Sequence, residues 1–143
     1  MGCLLLGCLG VALAYKRTVL NNAGDMTFSS YHDGKRYDFH ISRAEFNAAP
    51  SWKGWSDSPP LAPRKAEKLA REVLTQTIPD SKKWWVDSIN LEQVGSSTNE
   101  EWIYVVRFIW HEGVLFGQPA EMRIPVLMNG KAVVPTITDR KDQ

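Results

Sequence analysis

The sequence predicts an α+β fold in which one amphipathic helix packs on an antiparallel β-meander, with an N-terminal β-hairpin ahead of both. Two kinds of observation lead there. Between Pro63 and Pro79 apolar residues recur at three- and four-residue steps, the period of a helix with one buried face. On either side of that segment apolar residues alternate with polar ones, and Asp33-Gly34 and Asn129-Gly130 supply the residue pairs that tight hairpin turns require.

The chain opens on an apolar run from Cys3 to Ala14, closed by Ala12-Leu13-Ala14, the small-x-small pattern after which signal peptidases cut. The run holds 12 residues, whereas a bilayer span needs about 20. Positive charge stands behind it, at Lys16 and Arg17, which reads as a leader whose start lies upstream or as a weak anchor oriented by those charges. Leu5-Leu6-Gly7-Cys8 resembles a bacterial lipobox, which would make Cys8 a lipidation site, although the residues after it are apolar where a polar tether is usual. Both cysteines, Cys3 and Cys8, belong to this run, so the body of the chain holds neither a disulfide framework nor a thiolate metal site. Any membrane attachment is expected through the leader alone.

Residues 15–60 read as a hairpin followed by a strap. Met26-Thr27-Phe28 leads into Tyr31-His32-Asp33-Gly34, after which Tyr37, Phe39 and Ile41 alternate with Arg36, Asp38 and His40, so the hairpin is expected over 26–45. Pro50, Pro59, Pro60 and Pro63, interleaved with Trp52 and Trp55, then forbid a regular element. Residues 61–138 read as helix plus meander. Pro63 suits a first helical position, and Ala66, Leu69, Ala70, Val73 and Leu74 form the apolar stripe, so Leu69 and Val73 are expected to be buried. Strands are expected over 85–94, 101–110, 122–128 and 131–138. The second of these is apolar on both faces and so central. Pro125 and Pro135 each lack a ladder donor and should sit outward on edge strands or at bulges. Residues 139–143 form a polar tail.

A helix introduced by Ala62-Pro63-Arg64-Lys65-Ala66 and ending near Ile78-Pro79-Asp80, followed by strands that close on Leu127-Met128-Asn129-Gly130-Lys131, resembles the PepSY-type domains of bacterial exported proteins. More broadly it is similar to the cystatin-like wrap of a sheet around a helix, over residues 61–138. That resemblance implies a non-catalytic envelope module that binds proteins or peptides. The inhibitory Gln-x-Val-x-Gly loop of cystatins is replaced by Gln93-Val94-Gly95, with different spacing.

The formal net charge is +1, which leaves no basic footprint for nucleic acid. No catalytic residue, metal ligand or cofactor site is read from the residues. A zinc or general-base site would need the fold to gather Asp38, His40 and His111. Val114-Leu115-Phe116, bracketed by glycines in a connection, is the leading candidate partner-binding tip. Trp52 and Trp55 in the strap are further partner-binding candidates, with packing over the sheet the favoured alternative for both. The expected function is thus a non-enzymatic exported module of the bacterial periplasm or cell envelope that binds an envelope protein or peptide. A lipid-anchored structural component is the second class and a metal-dependent hydrolase a remote third. Intact-mass measurement of protein from native envelope tests the leader: a chain starting at Tyr15 is the expected outcome for soluble export, and a diacylated Cys8 for the anchored form. An uncleaved chain contradicts both.

Overall fold

The structure, a computed structural model, describes residues 18–21, 24–54, 57–95, 100–110 and 119–140. It shows the expected α+β arrangement: two antiparallel sheets and one main helix. The first sheet joins β1 (Thr18–Leu20), β2 (Met26–His32), β3 (Lys35–Ile41) and β7 (Thr136–Asp139) in that order. The second joins β4 (Trp84–Gln93), β5 (Trp102–Trp110) and β6 (Glu121–Leu127). Helix α1 is Arg43–Ala48 and α2 is Pro63–Thr77, with a 3-10 turn over Ser81–Lys83.

The β2–β3 hairpin turns at Asp33 and Gly34, whose φ angles of 49° and 67° are the left-handed pair a two-residue turn of this hand needs. Its inner face, Phe28, Tyr37, Phe39 and Ile41, is buried, while Thr27, Ser29, Asp38 and His40 alternate outward. The hairpin ends at Ile41 rather than near residue 45, because Ser42 starts α1. The Ser42 hydroxyl accepts from the Glu45 N–H and the Glu45 carboxylate accepts from the Ser42 N–H, the reciprocal box that ends a strand and opens a helix.

Helix α2 lies across β5 and β6, burying Ala66, Ala70, Val73 and Leu74, with Pro63 at its first turn. Leu69 departs from expectation: it is half-buried at the border of the stripe, near the Asn129-Gly130 turn. The central strand β5 is closed on both faces, with Ile103, Tyr104, Val105, Val106 and Phe108 all buried. The Tyr104 hydroxyl donates to the Leu61 carbonyl at 2.9 Å, tying the sheet to the approach to α2.

The end of the chain departs most from the sequence reading. After β6 the Asn129-Gly130 turn forms, with the Gly130 N–H donating to the Leu127 carbonyl, but the returning chain makes only one bridge, Val126 to Ala132. A strand over 131–138 as partner of β6 is therefore not formed. The chain instead crosses to the first sheet, where β7 pairs with β3, Tyr37 opposite Ile137. Pro135 falls before β7, and Pro125 lies on β6, an edge strand of its sheet. Residues 15–60 and 61–138 thus share a sheet and one hydrophobic core.

Two measurements check this packing. Leu74 is fully buried, so Leu74→Ala should cost about 2 to 5 kcal/mol, read as a lower urea midpoint at constant m. The second concerns Glu45, whose carboxylate is paired with Lys131 and hydrogen-bonded to the Ser42 N–H; its pKa is lowered to about 2. Because the folded pKa lies below the unfolded value, this stabilisation is present above about pH 4.5 and disappears as pH falls toward 2. Lys131 is more than half exposed, so the pair should contribute about 1 kcal/mol after solvent screening. Lys131→Gln should melt below the parent protein at pH 6 and converge with it near pH 2.

Candidate functional site

Pro79 and Asp80 stop α2, and the 3-10 turn Ser81–Lys83 delivers the chain to two consecutive tryptophans at the start of β4. Strand alternation sends them to opposite faces. Trp84 turns inward, 1% exposed, and packs edge-on against His32 at 4.8 Å and Trp110 at 5.6 Å. Trp85 turns outward, 61% exposed, more than any other aromatic side chain among the described exposed hydrophobics. Its exposure is the notable feature, because apolar area of that size left in water carries a cost that packing would remove.

The helix completes the corner. Arg71 reaches from α2 to set its guanidinium 4.8 Å above the Phe108 ring, and its Nη1 donates to the Trp84 carbonyl at 2.8 Å. That bond holds the cation rigidly at the sheet edge, and the ring face below offsets part of its desolvation. Glu67, one turn earlier on α2, and Lys82 of the 3-10 turn complete the rim. Together with Trp84, Trp85 and Val86 they enclose a shallow recess of about 290 Å³. Lys83 lies beyond it, its Nζ 5.4 Å over the Trp110 ring. On the other side, Arg107 bridges Asp87 and Glu121 at 2.7 Å each, so three strands share one ion-pair ladder.

No protein-family model, curated protein or solved structure matches this chain. Its function is therefore read from the geometry of its own residues.

Of the sites read from the sequence, Val114, Leu115, Phe116, Trp55, Cys8 and His111 lie outside the described residues. Trp52 is half-buried and packs edge-on against Trp102 with ring centroids 5.2 Å apart. Its indole N–H donates to the Asp57 carbonyl and its backbone N–H to the Glu100 carbonyl, so Trp52 fastens the strap over the start of β5. Gly54 belongs to the same contact: a Cβ there would lie 3.0 Å from the Trp102 ring, and only glycine lets the strap come this close. Trp52 thus packs on Trp102, which lies opposite Gln93 at the far end of β4 from Trp85.

Asp38 and His40 share the outward face of the hairpin. The Ser29 hydroxyl donates to Asp38 at 2.6 Å, Arg36 donates to the same oxygen at 2.9 Å, and His40 Nδ1 lies 3.1 Å from the Thr27 hydroxyl. These are cross-strand pairs of the β2–β3 register, Ser29 opposite Asp38 and Thr27 opposite His40. Among the described residues no three His, Cys, Asp or Glu side chains are grouped to hold a metal ion. No described helix is long and apolar enough to cross a membrane.

The sequence reading did not single out Trp85. The signal was present in Trp84-Trp85 at a strand start, since alternation puts one of two adjacent tryptophans in the core and the other out of it.

Proposed function

We propose that this chain is a non-catalytic, exported binding module that engages an envelope protein or peptide through the corner formed by α2 and the start of β4. One observation carries the reading: Trp85 stands 61% exposed beside a recess whose walls are fixed by packing and hydrogen bonds. Large aromatic side chains next to well-ordered charged groups are the usual anchors of protein interfaces. The surrounding residues need no rearrangement to receive a ligand, because Trp84 is locked between His32 and Trp110 and Arg71 is held on the Trp84 carbonyl. The leader at residues 1–14, with its apolar run, and the resemblance of residues 61–138 to PepSY-type domains support the export and binding parts of the reading.

Photo-crosslinking in cells tests it. A benzoylphenylalanine placed at position 85 of the exported chain should trap one discrete protein or peptide adduct, identifiable by mass spectrometry. The same group at exposed Lys65 on α2 should give none. Equal, diffuse labelling from both positions would sink the assignment. Trp85→Ala should melt within about 0.5 kcal/mol of the parent, as surface changes do, so that a loss of the adduct is not a loss of fold.

A further inference from the structure

The Trp85 corner lies on the edge of the longest strand, β4, which pairs with β5 on one side alone among the described strands. In an antiparallel ladder successive residues direct their peptide groups alternately toward and away from the neighbour. The phase along β4 is fixed at both ends. Trp84 points away from β5, its N–H donating to the Ser81 carbonyl and its carbonyl accepting from Arg71, while the Val94 N–H points inward to the Glu101 carbonyl. Across the bulge between Val86 and Ser88, the outward peptide groups are therefore those of Val86, Ile89, Leu91 and Gln93. Those of Val86, Ile89 and Leu91 have no backbone partner among the described residues.

The recess at the start of this edge is charged asymmetrically, with Arg71 and Lys82 against the single carboxylate of Glu67, while the carboxylates of β4 itself, Asp87 and Glu92, are paired with Arg107 and Arg123. Resting on the binding role assigned above, we propose that β4 takes up an extended, acidic peptide segment as an added strand. The segment's backbone pairs with the outward groups of Ile89 and Leu91. Its carboxylate side chain or terminus lies in the recess beside Lys82 and Arg71, and an adjacent side chain covers Trp85. Strand addition of this kind draws affinity from main-chain hydrogen bonds and specificity from side-chain sites at alternate positions. The recess is such a site, one side-chain row from the edge, and two cations there favour an anion over a neutral or basic residue.

Selection of random linear peptides on the full chain supplies the probe. The enriched peptides should carry Asp or Glu, and Lys82→Glu should weaken them about tenfold or more. N-methylation of the best peptide, one amide at a time, should abolish binding at every second position and spare the positions between, because only alternate N–H groups face β4. Leu91→Pro gives the complementary result on the protein. It removes a donor that the β4–β5 ladder does not use, so binding should fall while the Trp84-Trp110 core keeps its near-ultraviolet dichroism. N-methylation on the peptide reads the same bond without perturbing the fold. Peptides that need Trp85 but show no alternating pattern overturn strand addition and leave the binding role standing. Enrichment of neutral or basic sequences overturns the acidic class. A chain dimer in sedimentation that Leu91→Pro dissolves makes a second copy the occupant and overturns the peptide, and failure to enrich any peptide does so as well.

Discussion

The outer edge of β6 is the constraint on which the rest of the architecture depends. A strand edge inside a protein must satisfy its outward N–H and C=O groups, and β6 satisfies its outward N–H groups from Arg123 to Leu127 without a partner strand. The Arg123 N–H donates to the hydroxyl of buried Ser30 on β2 at 3.1 Å, Pro125 has no N–H to satisfy while its carbonyl accepts from Val133, and the Leu127 N–H donates to the Lys131 carbonyl. Removing the Ser30 hydroxyl would leave a buried donor without an acceptor, a cost of about 1 to 3 kcal/mol. Because that edge is closed by side chain, proline and turn, β2 can lie against β6 and the two sheets can share one core. Arg123 crosses the same seam, its guanidinium 5.3 Å from the Phe28 ring and 3.8 Å from Glu92, so this strongly buried cation is both stacked and paired.

What the residues declare locally was legible. Helix α2 begins at Pro63 as expected and ends at Thr77, whose hydroxyl donates back to the Val73 carbonyl just before Pro79. The three meander strands fall within a residue or so of their expected limits, since alternation and turn pairs are short-range signals. Helix α1 was equally local, written in Ser42-Arg43-Ala44-Glu45, but six helical residues are too few to show a period, and the alternation of β3 runs straight into it. The pairing of β7 with β3 was not legible. A residue such as Ile137 carries no mark of which strand it will lie beside, and Asn129-Gly130 states only that the chain reverses, not how far the returning arm stays in register.

The candidate site divides in the same way. Trp84-Trp85 fixes one indole in and one out as soon as the strand is granted, and Lys82 follows from its place in the turn. Arg71 does not follow, because on the helix it reads as one more solvated charge among Arg64, Lys65, Lys68 and Glu72. Only the packing of α2 on β5 brings it over Phe108 and onto the Trp84 carbonyl.

Long strand edges are hazards that proteins blunt with charges, bulges and covering elements, and β4 carries two such devices near its start. Arg71 occupies the Trp84 carbonyl, and the bulge between Val86 and Ser88 breaks the even spacing that a flat, promiscuous partner strand would need. Both lie beside Trp85, at the same end as the recess, whereas Ile89 and Leu91 continue in regular register with β5. The edge is therefore regular where backbone pairing would supply affinity and irregular where side chains would discriminate. A segment that fits the bulge and meets the cations gains the full length of the strand. One that does not is held to the few groups beyond it. The devices that protect β4 from indiscriminate pairing would then be the same ones that make its pairing selective.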